Sequence, residues 1–132
     1  MKEERRCAIL CVDDETPNIA LLEEILERHG HVVYSAANGM AALHLLDTHP
    51  EVKVCFLDLT MPVMDGYAVL GILSDDERYA ALKIIVTSGH LETDFERIVK
   101  ERGIDTGGVV GYLSKPLFHR NILDLIDFAT AQ

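Results

Sequence analysis

Short apolar runs alternate with longer amphipathic stretches five times along the 132 residues of the chain. The apolar runs carry Val, Ile, Leu and Cys at consecutive positions, which is typical of strands buried on both faces of a sheet. The five predicted strands cover residues 7–12, 32–35, 52–57, 83–87 and 109–113. This alternation constrains the fold most, because strands that are separated by helices favour a parallel sheet.

The stretches between the strands predict helices. The first helix has apolar residues at helical spacing, namely Ile19, Leu22, Ile25 and Leu26. Gly30 predicts the end of that helix, and Asn38 predicts the cap of a second helix that runs through residue 46 and is stopped by Pro50. The remaining helical patterns cover residues 66–74, 92–102 and 121–131.

Five strand–helix units predict an α/β fold, a doubly wound (βα)5 sandwich with helices on both faces of a parallel sheet. The flavodoxin-like strand order 2-1-3-4-5 is the common solution at this size. The sequence contains no internal repeat, low-complexity tract or linker, so residues 1–132 are expected to form a single domain.

The formal net charge of −10 argues against a nucleic-acid-binding surface, because phosphate backbones are bound by clustered Lys and Arg. The 12 basic residues are scattered along the sequence. No apolar run reaches the roughly 18 residues of a membrane span, and Asp13 interrupts the first run too early for a signal peptide. We therefore expect a cytoplasmic protein that contacts neither nucleic acid nor membrane directly.

The three cysteines, Cys7, Cys11 and Cys55, all lie in predicted strands. Because they contain no C-x-x-C pair, they indicate reduced thiols in the core and not a metal or redox site. If Cys7 and Cys11 share a strand, they lie ~13 Å apart, which is too far for a disulfide.

Three acidic residues follow the two strands that flank the point where strand order reverses. Asp13 and Asp14 follow the first strand, and Asp58 follows the third. In an open α/β sheet, ligands bind beyond the carboxyl ends of the strands at this point. A single acid after a strand is usually a solvated cap, but three together would repel one another unless a cation lay among them. Oxygen ligands favour Mg²⁺, so the sequence predicts a magnesium site.

The fourth and fifth strands bring a hydroxyl group and a cation to the same edge of the sheet. Thr87 and Ser88 close the fourth strand, and Lys115 follows the fifth. These groups and the acids together suit a phosphoryl group that is bridged to a metal. Asp58 is the predicted nucleophile, since a carboxylate can form an acyl phosphate, while Lys115 offsets charge and Thr87 donates a hydrogen bond.

Over essentially its whole length, the sequence resembles the receiver domains of bacterial response regulators. Residues 12–18, with the sequence VDDETPN, resemble a frequent opening of that family and contain its paired metal-site acids, Asp13 and Asp14. Asp58 matches the phosphoacceptor of the family, and residues 61–66, with the sequence MPVMDG, closely follow the loop after it.

The matches continue toward the end of the chain. Thr60 falls where the family ligates the metal through a backbone carbonyl, and Thr87 matches the switch hydroxyl. Lys115 matches the lysine of the family motif, Pro116 matches the cis-proline after it, and Tyr112 falls at the mobile aromatic position. Five such matches at strand ends make the resemblance specific.

The resemblance implies a phosphoacceptor domain of a two-component system. A sensor histidine kinase or a phosphotransfer protein would donate a phosphoryl group to Asp58 in a reaction that depends on Mg²⁺, with Mn²⁺ as a substitute. Asp14, Asp58 and the backbone carbonyl of Thr60 would ligate the metal directly, and Asp13 would act through water.

The resemblance also implies a signalling switch and not an enzyme, since such a domain catalyses only its own phosphorylation and dephosphorylation. Thr87 would move toward the phosphoryl group, and Tyr112 would swing into the vacated space. The surface of the fourth helix, fifth strand and fifth helix would then control an output domain or a partner protein. A homodimer is compatible with this scheme.

Two features depart from the family pattern. Position 60 is Thr and position 89 is Gly, at sites that flank the phosphoryl group in the family and influence its hydrolysis. Residues 106–110, with the sequence TGGVV, are extra material before Gly111. They leave the length of the fourth helix and the start of the fifth strand open.

Three alternative functions share parts of this pattern. A phosphatase of the haloacid-dehalogenase type also phosphorylates an Asp after a strand, but it needs a second Asp at the position of Thr60. A flavodoxin needs a phosphate-binding loop after the first strand, where Asp13 and Asp14 would repel a phosphate. A pseudo-receiver that acts only as a docking module usually lacks one of the key residues, all of which are present.

Overall fold

The computed structural model describes residues 6–131, which form a five-stranded sheet and five α-helices. The strands are β1 (Ala8–Val12), β2 (Val32–Ala36), β3 (Val52–Asp58), β4 (Lys83–Ser88) and β5 (Val109–Ser114). The helices are α1 (Thr16–Arg28), α2 (Gly39–Thr48), α3 (Gly66–Ser74), α4 (Glu92–Arg102) and α5 (His119–Thr130), and a 3₁₀ turn covers Glu77–Tyr79. Residues 1–5 and 132 of the predicted single domain lie outside the described residues.

The strands lie in the order β2-β1-β3-β4-β5, and every neighbouring pair is parallel. This confirms the predicted doubly wound, flavodoxin-like α/β fold. Each predicted strand is present, and none of its ends differs by more than one residue. The direction of strand order reverses between β1 and β3, so the carboxyl ends of these two strands flank the expected site.

Two apolar cores hold the sheet, one on each face, because successive residues of a strand point to opposite sides. In β1, Leu10 and Val12 belong to the first core, whereas Ile9 and Cys11 belong to the second. The first core is completed by residues of α2, α3 and α4, among them Leu46, Leu70 and Phe95. The second core is completed by residues of α1 and α5, among them Leu26 and Ile126. Burial on both faces explains the continuous apolar runs in the sequence.

Two helices differ from their predicted bounds. The cap at Asn38 is confirmed, since its side chain accepts a hydrogen bond of 2.8 Å from the Ala41 amide. Helix α2 nevertheless runs through Thr48, two residues past the predicted end, because Pro50 restricts only the residue directly before it. Helix α5 covers His119–Thr130 and so begins two residues before the predicted start at residue 121, and no side-chain cap marks that start.

The extra residues 106–110 form a turn and a β-bulge. Helix α4 ends at Arg102, as predicted, and Gly103 has a left-handed φ of 67° there. The Val109 amide then donates a hydrogen bond of 2.9 Å to the carbonyl of Thr106. In the β4–β5 pairing, Ile84 lies opposite Val109 and Ile85 lies opposite Gly111, so Val110 is the additional residue of the bulge.

The three cysteines are free, and Cys11 and Cys55 are buried as predicted. Burial raises the pKa of the Cys55 thiol to about 12, so this thiol stays protonated. Cys7 differs from the prediction, because it precedes β1 and is only partly buried. Within residues 6–131, no helix combines the length and the apolar character that crossing a bilayer requires.

Candidate functional site

Three carboxylates meet at the carboxyl edge of the sheet, as the sequence predicts. Asp13 and Asp14 follow β1, and Asp58 is the last residue of β3. Each of them offers an oxygen that lies within 4.8 Å of an oxygen of the other two. Asp13 and Asp58 are buried, with exposed fractions of 2 % and 1 %, whereas Asp14 is exposed. The cluster therefore has a buried floor and one side that is open to solvent.

Asp13 is held in place by its own segment of chain. Its Oδ1 accepts a hydrogen bond of 2.8 Å from the Glu15 amide. Its Oδ2 accepts a hydrogen bond of 3.2 Å from the side-chain amide of Asn18, in the first turn of α1. These hydrogen bonds offset the free-energy cost of burying the carboxylate of Asp13. They also fix its orientation in the site.

Asp58 combines one satisfied oxygen with one that has no partner. Its Oδ1 accepts a hydrogen bond of 3.3 Å from the Thr60 amide and lies 3.3 Å from Nζ of Lys115. Its Oδ2 is buried and has no hydrogen-bond partner among the described residues. Burial, and secondly the charge of Asp13, raises the pKa of Asp58 to about 6, although Lys115 opposes this rise.

Lys115 is the cation of the site and reaches it from the end of β5. Its Nζ lies 3.0 Å from Oδ2 of Asp13, 3.3 Å from Oδ1 of Asp58 and 3.4 Å from Oε1 of Glu15. Burial alone would lower the pKa of Lys115, but its carboxylate partners outweigh that effect and raise it. The peptide bond to Pro116 is cis, as the resemblance implies. The ammonium group of Lys115 therefore stays protonated beside the carboxylates of Asp13 and Asp58.

Thr87 lies directly beside Asp58 on the neighbouring strand. The two residues are Cα partners in the β3–β4 register, and both are buried. The carbonyl of Thr87 accepts a hydrogen bond of 3.2 Å from the Leu59 amide, which holds the start of the loop after β3. The carbonyl of Ser88, one residue on, accepts a bond of 2.8 Å from the Lys115 amide. The end of β4, which carries the hydroxyl groups, is thus hydrogen-bonded both to the loop after Asp58 and to Lys115.

The glycine at the end of the MPVMDG motif is required by a close approach of two backbones. A Cβ atom at Gly66 would overlap the carbonyl oxygen of Asp58 and would lie 2.8 Å from Cα of Leu59. The Gly66 amide also donates a hydrogen bond of 3.0 Å to the Leu59 carbonyl. The absence of a side chain here lets α3 begin directly against the end of β3.

The same loop contains a strained residue. Val63 has a φ of 70° and is 87 % exposed, although a branched side chain strongly disfavours positive φ. The Met64 amide donates a hydrogen bond of 2.8 Å to the carbonyl of Pro62, which closes a three-residue turn around Val63.

Tyr112 lies on β5, one strand away from Thr87. Its ring packs against Phe95 of α4, with the ring centroids 5.6 Å apart, and its hydroxyl donates a hydrogen bond of 2.9 Å to the carbonyl of His90. The His90 amide in turn donates a bond of 2.9 Å to Oγ of Ser88. The ring is partly buried, and its hydroxyl anchors the loop between β4 and α4.

The donor set suits a hard divalent cation. Carboxylate oxygens from Asp13, Asp14 and Asp58 converge, and the unpartnered Oδ2 of Asp58 is the kind of buried atom that a metal ion would satisfy. Mg²⁺ prefers such oxygen ligands and retains water in the remaining positions. The residues present therefore fit a magnesium ion.

Two contributors to the site were not predicted from the sequence. Glu15 reaches Lys115, and Asn18 holds Asp13. Both residues fall within the VDDETPN segment, so the local motif was a signal for them, but their contacts depend on how α1 leaves the sheet.

The chain matches the response regulator receiver domain family over residues 9–127. It is 32 % identical to Protein PilH of Pseudomonas aeruginosa over 93 % of this chain and 97 % of that protein. It is 30 % identical to the polar-differentiation response regulator DivK of Brucella ovis, over 83 % of this chain and 85 % of DivK.

Two further relatives are much longer than this chain. This chain is 31 % identical to the sensor histidine kinase GacS of Pseudomonas protegens, and the match covers 89 % of this chain but only 12 % of GacS. It is 29 % identical to a probable cyclic di-GMP phosphodiesterase of Vibrio cholerae, again over 89 % of its residues and 25 % of that protein. The match in each case is to a minor part of the longer protein.

Solved structures share the fold. The chemotaxis protein CheY4 of Vibrio cholerae has a TM-score of 0.81 at 22 % identity, with coverage of 94 % of this chain and 98 % of that one. The signal receiver domain of an HD domain-containing protein from Pseudomonas fluorescens has a TM-score of 0.82 at 25 % identity, with coverage of 96 % and 95 %.

Proposed function

The chain belongs to the family of response regulator receiver domains, which act in two-component signalling, and on that premise we propose that Asp58 is its phosphoacceptor. The observation that carries this proposal is the buried Oδ2 of Asp58, which has no hydrogen-bond partner among the described residues. It is a carboxylate oxygen that protein groups leave free, and Oδ1 of the same carboxylate lies 3.3 Å from Nζ of Lys115.

The proposed reaction moves one phosphoryl group. An oxygen of ionised Asp58 attacks the phosphorus atom of a phosphohistidine, the new P–O bond forms, and the P–N bond to the donor breaks. The imidazole of the donor leaves with the electron pair of that bond and is protonated from solvent. A pKa of about 6 leaves most of Asp58 ionised at neutral pH, as the attack requires.

Lys115 and Thr87 are proposed to receive the phosphoryl oxygens. The ammonium group of Lys115 already lies between Asp13 and Asp58, so a phosphoryl group on Asp58 would meet its positive charge without a large movement. Thr87, the register partner of Asp58, would donate a hydrogen bond from its hydroxyl.

The acidic cluster is proposed to hold Mg²⁺, or Mn²⁺ as a substitute. Asp14, Asp58 and the Thr60 carbonyl would ligate it directly, and Asp13 would act through water. A bound divalent ion would supply positive charge that offsets the phosphoryl oxygens. In its absence, Lys115 is the cation nearest to these carboxylates in the described part of the chain.

The biological role follows from the family. We take residues 1–132 as one receiver domain that a sensor histidine kinase or a phosphotransfer protein phosphorylates in the cytoplasm. The domain acts on no other substrate and contacts no nucleic acid or membrane directly, in keeping with its net charge of −10. The alternative of a haloacid-dehalogenase-type phosphatase finds no support in the family match. A pseudo-receiver is disfavoured because the sequence has the key residues that such a module usually lacks.

The proposed output surface is formed by α4, β5 and α5, which would regulate an output domain, a partner protein or a second copy of the chain. Thr87 would follow the phosphoryl group, and Tyr112 would exchange its hydrogen bond to His90 for a place nearer Thr87. Amide exchange with and without a beryllium fluoride mimic tests this. Protection should change between residues 92 and 118, and a flat profile there would show that another surface transmits the signal.

Phosphorylation itself is tested with a small phosphodonor and Mg²⁺, followed by mass spectrometry of the intact chain and of its peptides. The wild-type chain should gain one hydroxylamine-sensitive phosphoryl group. Asp58→Asn should abolish it, whereas the matched control Asp124→Asn, at an exposed position of α5, should retain it. An equal, hydroxylamine-sensitive modification of Asp58→Asn would refute the assignment.

A further inference from the structure

The amino edge of the sheet, opposite the acidic site, contains a cavity of about 610 Å³. Four of the chain's 12 basic residues line it, namely Arg6, Lys53, Arg78 and Lys83. The role of a phosphoacceptor makes no use of this end of the molecule. A cavity of this volume lies within the range of about 300–1,000 Å³ that is typical of small-molecule sites.

The fold gathers cations that are far apart in the sequence. Arg6 precedes β1, Lys53 is the second residue of β3, and Lys83 is the first residue of β4. Parallel strands all begin at the same edge of a sheet, so these side chains meet there just as the acids meet at the opposite edge. The cavity is thus a locally basic region in a chain with a net charge of −10.

Not all of these charges are free to bind a ligand. Arg78 is paired with Asp47, which also lines the cavity, at 2.9 Å and with Asp76 at 2.8 Å. Lys53 and Lys83, by contrast, take part in no ion pair within residues 6–131. Lys53 is exposed and Lys83 is partly exposed, so both ammonium groups are available to an incoming anion.

Part of the cavity wall is apolar, although Asp47, His49 and Thr130 also line it. The apolar part consists of core residues of several elements, namely Leu46, Val52, Val54, Leu82 and Ala129. Tyr79 adds an aromatic ring, which the guanidinium group of Arg78 covers at 5.2 Å from the ring centroid. A ligand would therefore bury an apolar body against this wall while its charged end meets Lys53 and Lys83.

We propose that this cavity binds a small organic anion that has an apolar body and one or two negative charges at one end. A polyanion such as nucleic acid is disfavoured, because the 22 acidic residues of the chain repel charges that extend beyond the cavity. A bare inorganic anion would leave the apolar wall without a contact. The competing explanation is that these cations are ordinary hydrated surface charges at the amino edge of the sheet. That explanation predicts no saturable binding.

The test uses naphthalene-2-sulfonate as the probe, titrated into the full chain while amide chemical shifts are followed by NMR. Saturable shifts should map to Val52, Lys53, Lys83 and Ala129, and the affinity should fall with added salt. Sulfate alone and the uncharged naphthalene-2-methanol should each bind at least about fivefold more weakly, since each lacks one of the two interactions. Equal affinity for either compound, or shifts that map elsewhere, would overturn the proposal.

Variants identify the cations. Lys53→Gln/Lys83→Gln should weaken binding of naphthalene-2-sulfonate by about fivefold or more, as expected when two exposed charge contacts are lost. The matched control Lys100→Gln/Arg120→Gln removes the same charge from exposed positions of α4 and α5 and should bind within about twofold of the wild type. An equal loss in both variants would mean that only overall charge matters, and the proposed site would be wrong.

Cys7 provides a second readout that does not depend on the variants. It lines the cavity, and it is the one cysteine of the three that is not fully buried. Alkylation of Cys7 in mildly alkaline buffer should slow severalfold when the probe saturates the cavity. An unchanged alkylation rate at saturation would place the probe elsewhere and refute the proposal even if binding itself is observed.

Discussion

Replacing Asp58 with Asn is expected to stabilise the metal-free domain at neutral pH. The Asp58 side chain is 2 % exposed, and burial together with the charge of Asp13 raises its pKa from 3.8 to about 6. The difference between these pKa values corresponds to roughly 3 kcal/mol of unfavourable free energy in the ionised folded state, at about 1.4 kcal/mol per pH unit. The pKa of Asp58 already reflects its attraction to Lys115, so losing that ion pair needs no separate correction.

The sign of the pH dependence follows from the raised pKa of Asp58. In the unfolded chain this carboxyl loses its proton near pH 3.8, whereas in the folded domain it keeps the proton until about pH 6. The wild-type domain therefore loses stability as the pH rises through this window, and the loss is complete above it. Asn carries no charge, so the advantage of Asp58→Asn should be absent near the lower pH and constant above the upper one.

Urea unfolding in the presence of EDTA, at several pH values from about 4 to 8, measures this effect. The control Asp124→Asn changes an exposed carboxylate of α5 and should not reproduce the pH-dependent gain. Added Mg²⁺ should stabilise the wild-type domain and narrow its gap to Asp58→Asn. If Asp58→Asn is less stable than wild type at neutral pH, or its advantage is the same at both ends of the range, the reasoning from a costly buried charge is wrong.

Three further predictions concern the carboxyl edge of the sheet. Asp13→Ala/Asp14→Ala should reduce Mg²⁺ affinity by at least about tenfold, because two converging carboxylates are lost, and calorimetry that finds undiminished affinity would contradict the proposed metal site. Gly89→Glu should shorten the lifetime of the acyl phosphate severalfold, because a carboxylate at this position could orient the attacking water. There is room for the side chain, since a Cβ at Gly89 meets nothing within 4 Å. The decay rate of the phosphorylated protein measures this effect, and an unchanged rate would rule out a role for this position. Val63→Gly should raise the free energy of unfolding by about 1 kcal/mol, because relief of the positive φ outweighs the added flexibility of glycine, and urea unfolding would disprove this if stability fell.

Features that repeat along the chain were predictable from the sequence. Strand bounds came within one residue, because burial on both faces leaves a continuous apolar run. The convergence of Asp13, Asp14 and Asp58 followed from topology alone, since parallel strands end at one edge. The start of α2 was marked in the sequence itself by its capping residue, Asn38.

Features that depend on three-dimensional neighbours were not predictable. The contact between Glu15 and Lys115 spans 100 positions and depends on the angle at which α1 leaves β1. The basic cavity was hidden for the same reason: Lys53 and Lys83 each interrupt an apolar run only once, so they resemble ordinary strand-end charges until the sheet is assembled. The start of α5 at His119 has no side-chain cap, so the local sequence contains no signal that predicts it.

The bulge at Val110 absorbs the extra residues between α4 and β5. As a result, the length of this connection does not affect how the rest of β5 pairs with β4. Beyond the bulge, β4 and β5 stay in unbroken register from the pair Ile85–Gly111 to the pair Ser88–Ser114. The surplus residues are thus taken up at the amino end of β5, and the regular register beyond them carries Lys115 to within 3.3 Å of Asp58. A change in the length or sequence of this connection would therefore alter the surface at the amino edge of the sheet and leave the register that positions the acidic site intact.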